Sequence, residues 1–144
     1  MSVMGEIISA TTRFMQANGK EAEFLAKSAI LLRQAHKHRN DGELTLALEI
    51  GYQSALRTAG AVIAGSPVSK RKRKPRGAWQ QLRLVNAQSA MWAEELSKYS
   101  QIRSRAASGL EIDLSTEGLD EFLGKVRNFH DEVEQGLGWS TEAA

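Results

Sequence analysis

Apolar residues recur every three or four positions along this chain, and no segment alternates with the period of two that marks a half-buried strand. Val3/Met4, Ile7/Ile8, Thr11 and Phe14/Met15 predict a short amphipathic first helix, with Asn18-Gly19 as its stop. Phe24, Leu25, Ser28, Leu31, Leu32 and Ala35 make the stripe of a second helix. It runs from about Lys20 into His36-Lys37-His38-Arg39, where cations suit the negative end of the helix dipole. Asn40-Asp41-Gly42 signals a turn. The third helix places Leu44, Ala47/Leu48, Gly51, Ala55, Thr58/Ala59 and Val62/Ile63 inward, and its small residues Gly51, Ser54, Ala55, Gly60 and Ala61 predict close helix–helix approach.

Gly65-Ser66-Pro67 ends that helix, and a connection follows to Gly77. One long helix is then predicted from Trp79, Leu82, Val85/Asn86, Ser89, Trp92/Ala93, Leu96, Tyr99 and Ile102, a spacing that fits a bundle seam. Trp79 and Trp92 are thirteen residues apart, about 140° of helical rotation. Both are assigned to packing, with Trp79 expected to be the more exposed. Ser108-Gly109 closes this helix. Ser115 is placed to cap the last one, which carries Glu117 in its first turn and Leu119, Phe122/Leu123, Val126, Phe129/His130 and Val133 inward. The predicted fold is therefore all-α: an antiparallel up-and-down four-helix bundle with an extra N-terminal helix. Residues 1–138 form its single domain, with the connection at 65–77, and residues 139–144 a loose tail that Trp139 anchors.

Composition agrees with one self-sufficient core: 42% of the 144 residues are hydrophobic. The absence of cysteine excludes disulfides, thiolate metal sites and a thiol nucleophile. No leader of basic and apolar residues opens the chain, and no stretch reaches the ~18 apolar residues of a membrane span. The expectation is a soluble, cytoplasmic protein with no membrane association.

Charge changes the picture more. Six of the 19 Lys and Arg residues fall in Lys70-Arg71-Lys72-Arg73-Lys74-Pro75-Arg76. The other 13 face 17 acids, so the rest of the molecule carries about −4. Eight acids against two bases lie between Glu111 and Glu134. The chain reads as a mildly acidic bundle with one concentrated cationic loop.

No Gly-rich phosphate loop, zinc-binding His-Glu helix or Ser-centred nucleophile motif is present. His36 and His38, two apart on a helix, face different ways and have no third ligand nearby, so neither a metal nor a cofactor is expected. His130, beside Phe129, reads as a boundary residue. Arg57 lies near an apolar face. It is expected either to pair with Glu49, Asp120 or Glu121, or to line an anion-binding cleft.

The step Lys72-Arg73-Lys74-Pro75-Arg76-Gly77-Ala78-Trp79, with Trp92 farther along and Ala55-Leu56-Arg57 in the preceding helix, resembles a family of short HEPN-domain proteins (higher eukaryotes and prokaryotes nucleotide-binding) known mainly from actinomycetes. The resemblance spans roughly residues 43–129 and implies a four-helix bundle. Such proteins act in RNA cleavage, in toxin–antitoxin pairs or as non-catalytic binding partners. Their ribonucleases use Arg, four to six residues, then His, paired across a homodimer cleft. Arg33 and His38 have that spacing but sit in an early helix, while Arg127 and His130 are too close together.

The leading expectation is a non-catalytic HEPN-type module, homodimeric, that contacts RNA, DNA or an acidic protein partner through Lys70, Arg71, Lys72, Arg73, Lys74, Arg76 and Arg57. The alternatives are a metal-independent endoribonuclease using Arg33 and His38, and a structural subunit whose loop has no specific ligand.

Overall fold

A glycine costs a helix interior about 1 kcal/mol, too little to end a helix that is favourable on both sides of it. In the computed structural model, which describes the backbone of residues 2–143 and the side chains of residues 19–136, the first helix accordingly passes straight through Asn18-Gly19. α1 spans Ser2–Asn40. The separate N-terminal helix expected from the sequence is thus the opening part of α1, and the inward positions expected at residues 3–15 lie outside the described side chains.

α1 ends where the sequence places its turn. Gly42 takes φ +80°, a left-handed conformation that glycine adopts without a Cβ clash. Gly42 N–H then reaches the Arg39 carbonyl and Glu43 N–H the His38 carbonyl, the paired bonds of a Schellman stop. α2 (Leu44–Ala64) returns antiparallel to α1. The register is set by close pairs: Ser28 meets Ser54 and Thr58, and Phe24 lies 3.2 Å from where a Gly60 Cβ would sit. At Gly51 a Cβ would meet Leu123 at 2.7 Å and Phe122 at 3.1 Å, so the glycine lets the last helix approach closely.

A short 3₁₀ turn, Pro67–Lys70, follows α2, and the chain then crosses to α3 (Ala78–Arg83), α4 (Ala87–Ser97) and α5 (Ser100–Ala107). The single long helix expected here is broken twice. Asn86 is extended (φ −168°, ψ 178°), and its side-chain oxygen accepts from Ser89 N–H at 2.8 Å, so it begins α4 as an N-cap. A milder break falls at Lys98-Tyr99. α5 closes on Gly109 (φ +75°) with a second Schellman pair, Gly109 N–H to Ala106 and Leu110 N–H to Arg105. α6 (Thr116–Ala143) opens with the expected cap, Ser115 Oγ accepting from Gly118 N–H at 2.9 Å. Its backbone is helical through the segment expected to form a tail. The anchoring expected of Trp139 lies outside the described side chains.

The molecule is all-α, with no strand among the described residues. Its core joins Leu32 and Ala35 of α1, Leu48, Tyr52 and Ala59 of α2, Trp79, Leu82 and Leu96 of α3 and α4, and Leu119, Phe122, Val126 and Phe129 of α6. Among the described residues no helix is long and apolar enough to cross a membrane.

Candidate nucleic-acid interface

The ends of the basic connection are tied down, and its middle is not. At its exit Trp79 is buried, with Nε1 donating to Tyr52 Oη at 2.8 Å and the rings edge-on at 6.0 Å. Gln81 Nε2 donates to the Pro75 carbonyl at 2.7 Å, which holds the Pro-Arg-Gly-Ala-Trp step against the first turn of α3. Tyr52 also lies under Arg103, whose guanidinium grips Glu49 in bidentate fashion at 2.6 and 2.7 Å and holds that carboxyl below the usual range. Trp92 is the more exposed indole, the reverse of the expected order. It packs on Phe129 at 5.2 Å and donates to Glu132.

Lys70, Arg71, Lys72, Arg73, Lys74 and Arg76 are all exposed. None of them forms an ion pair among the described residues. Among the described residues the one hydrogen bond from these side chains is Lys74 Nζ to the Ser69 carbonyl, at 3.0 Å. Like charges crowded at this density lower the local potential energy of any approaching polyanion.

Arg57 is exposed too, and the acids expected to pair with it are engaged elsewhere. Glu49 holds Arg103, Asp120 holds Arg39 at 2.8 and 2.9 Å, and Glu121 lies 3.6 Å from Lys125. The Arg57 guanidinium instead lies 6.0 Å from the Phe24 ring centroid, over a groove of about 180 Å³ lined by Lys20, Glu23, Phe24, Lys27 and Arg57.

A signal in the sequence escapes a search for charge runs. From Ile50 to Ala93 there is no acidic residue, and the same span holds eight bases, Arg57, the six loop cations and Arg83. The cationic region therefore reaches from the middle of α2 to the middle of α4.

The ribonuclease candidates are placed differently. Arg33 is exposed on α1 and His38 lies in its last turn, 3.3 Å from Glu43. Because α1 stays helical to Asn40, five residues of separation turn the two side chains about 140° apart. Nearby, His36 is partly covered and Arg127 is exposed. Burial, together with the Arg127 charge, pushes the His36 imidazole below its ordinary range.

His130 differs most from its expected place at the boundary. It is 5% exposed, with Nδ1 3.0 Å from Ser28 Oγ and Nε2 2.9 Å from Glu134. Ser28 Oγ also lies 2.6 Å from Thr58 Oγ1 and 3.0 Å from Ser54 Oγ, which donates to the Ser28 carbonyl. The order Ser–His–carboxylate has the connectivity of a nucleophilic relay. However, Ser28 is wholly buried and its hydroxyl already has three partners, so no substrate reaches it. This is a polar seam that locks α1, α2 and α6 together. Among the described residues no three His, Asp or Glu side chains gather as metal ligands would.

Fold, seam and loop define an all-helical domain with a cationic face. A family model for the SAV_6107-like HEPN domain matches residues 43–134, from the start of α2 into α6. The chain belongs to that HEPN family. No curated protein and no solved structure matches it.

Proposed function

We propose that this HEPN domain is a non-catalytic binding module whose basic loop holds the phosphate backbone of a nucleic acid. The observation that carries this reading is the state of the six loop cations: exposed, crowded, and free of any ion pair among the described residues. Charges that served the fold would be matched by carboxylates, as Arg39 and Arg103 are. Binding of this kind depends on counterion release, so it is steep in salt and indifferent to sequence. No aromatic side chain lies within the run, and so the loop reads charge rather than bases. The reading includes a homodimer, supported by the exposed Met91 on a shallow groove of α4.

Fluorescence anisotropy with RNA and DNA oligonucleotides across a salt series tests it. Each loop cation that contacts a phosphate contributes about 0.7–0.9 to the salt slope. Replacing Lys70, Arg71, Lys72, Arg73 and Lys74 by Gln is therefore expected to flatten the slope by up to about 3.5–4.5. An unchanged slope refutes the reading, and absence of binding by the intact chain points instead to an acidic protein. The same samples are followed for cleavage. RNA cleavage that disappears in both Arg33→Ala and His38→Ala would replace this function with the endoribonuclease.

A further inference from the structure

The loop is one end of a longer cationic surface. Trp79 fixes the loop's exit against Tyr52, while Arg57 stands about 140° farther around α2. Between these two faces lie the half-buried Leu56, Gly60 and Ala64 of α2, and no acid falls from Ile50 to Gly65. Beyond it sits the groove of Lys20, Phe24, Lys27 and Arg57. The pairing of Phe24 with Gly60 and of Glu21 with Gly65 places Lys20 at the loop end of this groove and Lys27 at its far end.

From the geometry we infer that this α1–α2 groove is a second phosphate-binding contact, and that one nucleic-acid strand runs from the basic loop over the acid-free stretch of α2 into it. The inference rests on the nucleic-acid reading of the loop. Three features support the groove itself. Lys20, Lys27 and Arg57 form no hydrogen bond or ion pair among the described residues, so their donors remain available. The Phe24 ring supports the Arg57 guanidinium, and a supported planar fork loses less entropy on gripping a phosphate. From Arg57 to Gly65 is eight residues, about 12 Å along α2. A few nucleotides of one strand span that distance. Glu23 is the groove's one acid, and it makes no ion pair with these cations among the described residues; it would repel a bound phosphate.

The test uses the full chain and a single-stranded RNA oligonucleotide in the same salt series. Lys20→Gln/Lys27→Gln/Arg57→Gln is expected to flatten the salt slope by about 2, at ~0.7 per lost contact, with the loop intact. Glu23→Gln is expected to tighten binding, a gain that damage to the fold would not produce. Lys98→Gln, an exposed cation on another face, serves as the comparison and is expected to leave the slope unchanged. A groove variant with the wild-type slope overturns the inference while the loop reading stands. So does a groove effect no larger per charge than that of Lys98→Gln. Loss of binding in neither the loop nor the groove variant removes both.

Discussion

α6 and the loop after α2 hold the two strongest concentrations of charge in this chain, and they use charge in opposite ways. Most of the acids of α6 have structural partners: Asp120 holds Arg39, Glu121 lies by Lys125, Glu132 takes Trp92 and Gln88, and Glu134 takes His130. Each of these contacts joins α6 to another helix or supports a residue that does, as Glu121 supports Lys125, whose Nζ reaches Glu95 of α4 at 3.1 Å. The loop cations, by contrast, bond to no carboxylate among the described residues. A charge with a partner already in place contributes to folding and is poorly available to a ligand. A charge without one costs little when solvated, and its interaction energy remains to be realised on binding. The charges of the acidic helix are therefore committed to the fold, while those of the basic loop are left uncommitted among the described residues.

The sharpest way to break that distinction is to remove a committed group. His130→Ala takes away the ring that joins Ser28 to Glu134 and leaves a hole between α1, α2 and α6. The expected cost is about 3 kcal/mol, from the cavity together with the hydrogen bond that Ser28 loses. Urea denaturation measures it. A cost under about 0.5 kcal/mol, the range of an ordinary surface substitution, would show that the seam contributes little.

The seam also shows how far the sequence could be read. Ser28, Ser54 and Thr58 were legible as inward, small positions, because helical period alone places them there. Their hydroxyls form a network with His130 only because residues 26, 30 and 102 positions apart meet, and no periodicity reports such a meeting. Ser115 announced its helix because a cap is a local event. Asn86 is a cap of the same kind, but it falls at an inward position of an otherwise continuous stripe, so the stripe hides the break in α3–α4. The loop was legible as charge. Its lack of partners was not, since pairing depends on which acids the fold brings near, and Arg57 shows the same limit.

A smaller effect sharpens the comparison through pH. Glu49 and Glu21 are both partly or wholly covered carboxyls, one with a cation and one without. Arg103 holds Glu49 below its ordinary pKa of 4.5. Its contribution to stability is thus complete above that value and is lost as pH falls through the lower folded one. Glu21 packs against Gly65 with one oxygen buried and without a partner among the described residues, and burial raises its pKa. Its effect is reversed: stability is greatest below 4.5 and declines as pH rises through the folded value. Glu21→Gln is therefore expected to stabilise the protein at pH 7 by about 1 kcal/mol. Glu49→Gln is expected to destabilise it by about the same amount. Both differences should shrink as pH is lowered, which thermal melts at pH 3 and 7 would register. Equal signs at pH 7 would mean that the partner, or its absence, does not decide what a buried carboxyl does here.

The smallest expected change in stability is the most telling for the loop. Replacing Lys70, Arg71, Lys72, Arg73 and Lys74 by Gln removes five like charges and, among the described residues, no ion pair. Easing their mutual repulsion favours the folded state slightly. The one structural bond at risk is Lys74 Nζ to the Ser69 carbonyl, an exposed contact on the edge of the 3₁₀ turn. The net shift in unfolding free energy is expected to stay within about 0.5 kcal/mol of zero, even as the salt slope of nucleic-acid binding collapses. Restoring Lys74 alone would separate these effects, because any stability lost with the five should return with that one side chain. A loss above about 1 kcal/mol that Lys74 does not restore would place the loop cations with the acids of α6, as parts of the fold rather than as the means of holding a ligand.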